Sequence, residues 1–101
     1  MKEPKKFAID AYLVDVLIRD LAGHNRTPSA FLVYLWLSSK AQKRSSRTVA
    51  ASLQMIAAAT GLSKSSVSHA LNHLRRKRLI ETERDGPTEV PRHRALTPWK
   101  R

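Results

Sequence analysis

Between Ser63 and Leu74 the chain sets Ser63, Lys64, Ser65, Ser66, Ser68, His69, Asn72 and His73 among Val67, Ala70, Leu71 and Leu74. The apolar four recur at three- and four-residue steps, so a helix here buries them as one stripe and turns the polar set outward. The chemistry open to that set is hydrogen bonding. Small hydroxyls at the helix start allow close approach to a base or a phosphate, and exposed N–H groups there favour a phosphate oxygen. His69, Asn72 and His73 are long enough to reach base edges. His69 and His73, four apart, also have a spacing that can hold a metal, but Ala70 stands where a zinc-protease motif carries glutamate, and the chain has no cysteine. Groove-facing polar residues explain the pair more simply, and no metal site is assigned. The serines have no placed base and acid, and there is no glycine-rich phosphate loop. The expectation is a protein that is not an enzyme and has no cofactor and no small-molecule substrate.

A helix that presents such a face must be braced from behind. Ser52 is placed to cap a preceding helix with Leu53, Ile56 and Ala57 turned inward; Gly61 ends it in the left-handed geometry glycine adopts most easily, Leu62 packs beneath the turn, and Ser63 caps the next helix. Ser52 to Ile80 thus has the spacing of a helix-turn-helix, an arrangement that sets one helix into a DNA groove. Past it the period changes. Leu79 to Arg84 alternates as a strand does, Asp85-Gly86 is a turn signal followed by Pro87, and Val90 to Leu96 can return as a partner strand that starts after Pro91 or lies on the edge. A β-hairpin in this place is a wing. Arg84, Arg92, His93 and Arg94 are placed to enter a minor groove or grip phosphates, and Glu81, Glu83 and Glu89 are suited to cross-strand pairs with those arginines.

Upstream, Leu13, Val14, Leu17, Ile18 and Leu21 predict a first helix, with Asp10 able to cap it and Gly23 placed to end it. Thr27-Pro28 starts a second, running to about Gln42, and Ala30 to Leu37 is apolar on every side of it. That pattern suits a central core helix, and it also suits contact between two copies; the expected assembly is a homodimer through residues 10–42. Lys40, Lys43, Arg44 and Arg47, with Ser45 and Ser46, form a basic connector that is either a solvated loop or an approach to phosphate. Thr48 to Ala50 is short and inclined to a strand. The expected organisation is one domain over 1–101: N-terminal helices at 10–47, helix-turn-helix at 48–80, wing at 81–97. The tail leaves Trp99 free to pack back on the helices or to lead into further chain.

Charge agrees with an anionic partner. Lys and Arg total 19 against 8 Asp and Glu, for a net +11, and ten basic residues but no acidic one fall between Asp20 and Glu81. A polyanion is the usual partner of such a chain, with a solubilising surface or a face for anionic lipid as the alternatives. Candidate phosphate contacts are Lys43, Arg44, Arg47, Arg75, Arg76, Arg78, Arg84, Arg92 and Arg94. At 101 residues there is room for one modest core and none for a separate sensing or catalytic domain. The longest apolar run is eight residues, Ala30 to Leu37, against the roughly 20 of a membrane span. With no cysteine and no secretory pattern at the start, the expectation is a cytoplasmic, nucleoid-associated protein that does not bind a membrane.

At Gly61 to Ile80, GLSKSSVSHALNHLRRKRLI resembles the winged helix-turn-helix domains of bacterial transcription regulators. The GntR-type pattern is matched at Gly61, Leu62, Ser63, Val67, Ala70, Leu71, Leu74, Leu79 and Ile80, with Ala57 at the small position where the two helices cross. The resemblance implies a mostly α fold with a small β-hairpin wing; the two extra N-terminal helices depart from it, since such families often place the winged domain first. It makes residues 64–73 the recognition helix and 81–96 the wing, and implies sequence-specific binding of double-stranded DNA by operator occupancy. Arg78 departs from the pattern, which commonly has glycine there, and the ligand-binding domain usual in such regulators is missing. The segment is similar, too, to the winged domains of plasmid replication initiators and partition proteins. Protein-docking and RNA-binding roles stay open. The polar, basic helix face speaks against the first, and the placing of Phe7, Tyr12, Phe31, Tyr34, Trp36 and Trp99 outside helix and wing against the second.

Overall fold

Pro28 starts the helix around which the rest is packed. In the computed structural model, which describes residues 6–42 and 47–100, α1 runs Pro28–Ala41, with proline at a position that needs no N–H partner. Thr27 does not cap it; its hydroxyl donates to the Asn25 carbonyl instead. Ala30, Val33, Tyr34, Leu37 and Ala41 are buried, and α1 packs against the N-terminal helix, both later helices and the sheet. Burial is not complete on every side as the apolar run suggests: Leu32 is exposed and Phe31, Leu35 and Trp36 are half-buried.

The N-terminal helix, Leu13–His24, is wound as a π-helix, a form otherwise met mostly as single turns. Leu13, Leu17 and Leu21 are buried against α1. In an α-helix Val14 would lie beside that stripe; the wider turn carries it out, and Val14 and Ile18 are 52% and 39% exposed. Neither expected terminus holds. Asp10 does not cap the helix, because its carboxylate accepts from Trp99 Nε1 at 3.1 Å and pairs with Lys100 at 3.3 Å. Gly23 does not end it; Asn25 is the cap, and Arg26 follows at a positive φ of 52°. Trp99 stacks on Tyr12 with ring centroids 4.4 Å apart, so the tail packs back on the helices.

α2 is Leu53–Thr60 and α3 is Lys64–Arg76, both capped as the sequence predicts. The Ser52 hydroxyl accepts from Met55 N–H, that of Ser63 accepts from Ser66 N–H, and Gly61 between them takes φ 79°. Each such cap stabilises its helix by about 1 kcal/mol. Leu53, expected inward, is 38% exposed; at the first turn of a two-turn helix, only Ile56 reaches the centre of the core.

β1 (Thr48–Ala50), β2 (Ile80–Glu83) and β3 (Arg92–Ala95) form an antiparallel sheet in the order β1-β3-β2. Strand alternation buries Val49, Ile80 and His93 on the inner face and leaves Glu81, Glu83 and Arg94 on the outer one. β3 begins just after Pro91, which needs no ladder N–H, and the Pro91 carbonyl accepts from Ala51 N–H. The hairpin is not the tight Asp85-Gly86 turn: Gly86 lacks the positive φ such turns use, and an eight-residue loop, 84–91, is closed by Glu89 N–H to the Gly86 carbonyl. The result is mostly helical, with four helices and a small three-stranded sheet among the described residues, as a winged helix-turn-helix requires.

Candidate nucleic-acid interface

α3 buries Val67, Ala70, Leu71 and Leu74 against α1 and α2 and turns its other side to solvent. Lys64, Ser65, His69, Asn72 and Arg76 are exposed along it, and no acidic residue lies on the helix. Ser63 and Ser66 are brought to the helix start but are partly spent there: the Ser63 hydroxyl caps the helix and donates to Ser66 Oγ, with Ser65 Oγ 3.2 Å away. Ser63 and Ser65 are exposed and Ser66 is half-buried. Ser68 is half-buried on the flank nearest the wing.

His73 is a correction. It stands between Ala70 and Leu74 in the helical period, at the margin of the buried stripe, and its Nε2 donates to Asn25 Oδ1 at 2.8 Å. Burial, with Arg76, Lys77 and His69 nearby, holds its pKa below the ordinary value. It ties α3 to the end of the N-terminal helix instead of facing a groove, which separates it from His69. Among the described residues no group of three or more His, Asp or Glu is arranged to hold a metal ion.

The arginines divide by environment. Arg76, Lys77 and Arg78 are exposed at the end of α3 and make no ion pair among the described residues. Arg78 takes φ 58°, the left-handed conformation glycine would supply. Arg78 N–H bonds the Arg75 carbonyl and Leu79 N–H the Leu74 carbonyl, a Schellman ending. Arg92 is a second correction, because Asp85 at 2.8 Å and Glu83 at 3.5 Å neutralise it and make it a brace of the wing. That pairing raises the Arg92 pKa and lowers that of Asp85. Arg94 is exposed on the outer sheet face with Glu81 as its cross-strand partner. Arg47, at φ 57°, lies with Ala95, Thr97 and Trp99 at the end of the sheet away from the wing loop, so it is not brought to α3. Lys43 and Arg44 lie outside the described residues.

Between α3 and the wing runs a cleft of about 340 Å³, lined on one side by Ser68, Leu71 and Arg75 and on the other by Thr82, Arg84, Val90 and His93. His93 is a third correction: expected on the wing surface, it is 1% exposed. Its Nδ1 lies 2.9 Å from Thr82 Oγ1 and its Nε2 3.2 Å from the Ala51 carbonyl. Burial pushes its pKa down, against the Ala51 hydrogen bond and with the help of Arg75 and Arg84. Thr82 and His93 carry no sequence signal for this. The alternation that buries Ile80 also turns Thr82 inward, but only the register places His93 opposite it.

A family model described as a helix-turn-helix domain matches residues 27–80, more than half of the chain. The chain belongs to the helix-turn-helix domain family. The match begins at Thr27 and so takes in α1 with the two helices of the motif, leaving the N-terminal helix before it and all but the first residue of β2, with β3, after it. No curated protein and no solved structure matches the chain. This helix-turn-helix domain is a DNA-binding one, and no helix among the described residues is long and apolar enough to cross a membrane.

Proposed function

We propose that this helix-turn-helix protein is a sequence-specific reader of double-stranded DNA, a transcription regulator of the bacterial, GntR-like kind acting by operator occupancy. One observation carries the reading: α3 is fixed to the core by Val67, Ala70, Leu71 and Leu74 and offers Lys64, Ser65, His69, Asn72 and Arg76 on a face without acidic residues. Ser65, His69 and Asn72 supply base contacts, with Ser68 at their flank. Lys64, Arg75, Arg76, Arg78 and Arg84 supply phosphate contacts. An RNA reading is disfavoured by three of the aromatic residues: Tyr12 and Trp99 stack on each other and Tyr34 is buried, so these three offer no open platform for a base.

The working form is a homodimer. Val14, Ile18 and Leu32 expose apolar surface on the N-terminal helix and α1, within the 10–42 segment. Selection of bound sequences from a random duplex pool tests both parts. The expected result is a palindromic consensus whose half-sites lie about one helical turn apart. A consensus without symmetry overturns the dimer, and no enrichment overturns the sequence-specific reader.

A further inference from the structure

A hydrogen-bonded chain crosses the cleft from the sheet to the surface of α3. It starts at the Ala51 carbonyl, which can only accept, so the proton on the His93 ring sits on Nε2. Burial disfavours a second proton, which leaves Nδ1 as an acceptor. The one hydroxyl hydrogen of Thr82 therefore goes to Nδ1, and the Thr82 oxygen is left to accept. It accepts from Arg75 Nη1 at 3.0 Å. The other arm of that guanidinium, Nη2, donates to Asn72 Oδ1.

Each group from Ala51 to Thr82 thus has its direction set by the one behind it, and together with Asn72 they hold an exposed cation on the recognition helix. Long side chains at a binding surface usually lose rotamer freedom on binding, which costs affinity. Arg75 is held in advance from two sides, with N–H groups to spare in a plane whose position is fixed. Arg84 and Ser68 line the same cleft, as does Glu89 of the wing loop, its one carboxylate among the described residues. A fork so presented matches the two oxygens of a phosphodiester.

We propose that Thr82 and His93 are positioning residues for Arg75, and that the cleft between α3 and the wing seats one backbone phosphate of bound duplex on the Arg75 fork. The proposal rests on the DNA-binding reading above and adds a residue-level mechanism to it. Neither Thr82 nor His93 touches the nucleic acid; both act through Arg75. Because the contact is to the backbone, it strengthens binding to every sequence alike.

A double-mutant cycle on the full chain tests this, using a labelled duplex of the selected consensus and a scrambled one. Thr82→Val keeps the shape of the side chain and removes the hydroxyl; Arg75→Ala removes the fork. Each is expected to weaken binding to both duplexes about tenfold, the size of a charge-assisted hydrogen bond, and the double variant no further. Thr82→Ser is expected to restore binding, and Arg75→Lys to leave it weak, since one ammonium cannot span Thr82, Asn72 and a phosphate together. A thermal melt of Thr82→Val near that of the parent assigns the loss to positioning and not to folding. Should Thr82→Val melt much lower, Thr82→Ser against Arg75→Lys decides: equal binding by these two overturns the proposal. It is also overturned if Thr82→Val binds as the parent does, if its loss multiplies with that of Arg75→Ala, or if only the consensus duplex is affected. A parent chain that binds no duplex overturns this proposal and the DNA reading together.

Discussion

His93 shows how much a single side chain decides. Its type and place in the sequence, between two arginines in a wing strand, suggest a surface cation. Register decides otherwise: pairing with Val49 and Thr82 puts it on the inner sheet face, where burial lowers its pKa below the ordinary 6.5. The folded state keeps the imidazole neutral, with Arg75 and Arg84 opposing a second proton. The unfolded chain takes that proton up near pH 6.5, so the stability tied to neutral His93 is complete above that pH and is lost as pH falls through the lower folded value. His73, lowered as well, acts in the same direction. Thermal melts between about pH 7 and pH 5 are expected to fall. His93→Gln, whose amide can donate to Ala51 and accept from Thr82 without titrating, is expected to flatten that fall. A pH profile unchanged by the substitution shows that His93 does not carry it.

Among the elements, α3 was the most legible. Its cap, its buried stripe and its outward face follow from residue types at helical spacing, and Gly61 marks the turn before it. The N-terminal helix was the least legible, because its apolar residues specify a helix but not its winding, and the π form rolls Val14 out of the stripe. The cleft could not be read at all, since Thr82 and His93 meet through strand register and Arg75 joins them from another element. The ending of α3 joins both cases. The absence of glycine at Arg78 suggests an altered ending, yet the backbone keeps the left-handed conformation there at φ 58°, with both Schellman hydrogen bonds. A side chain in that conformation costs about 1–2 kcal/mol, which glycine avoids. Arg78→Gly is therefore expected to raise stability by about 1 kcal/mol in denaturant unfolding, and, if Arg78 meets a phosphate, to lower the salt dependence of binding by about one contact. Unchanged or lower stability would mean the ending is not strained.

At the scale of the whole molecule the charges are sorted. Asp15 and Asp20 lie on the N-terminal helix, Asp10 is tied to the tail, Glu83 and Asp85 are taken up by Arg92, Glu81 stands opposite Arg94 and Glu89 lines the wing side of the cleft, while Lys64, Arg76, Lys77, Arg78 and Arg84 stay unpaired among the described residues. Affinity on such a surface comes chiefly from released counterions, and selectivity from the few side chains that reach bases. Neutralising about six phosphates costs on the order of 1,000-fold in affinity between 50 and 200 mM salt. The division of labour is most directly tested by the ratio of affinities for consensus and scrambled duplex, measured across that salt range for the parent and for the variant with Ser65, His69 and Asn72 all changed to Ala. The parent is expected to prefer the consensus at every salt concentration, while the variant keeps the steep salt dependence and loses the preference. A variant that still discriminates as the parent does would contradict the assignment of α3 as the reader of sequence.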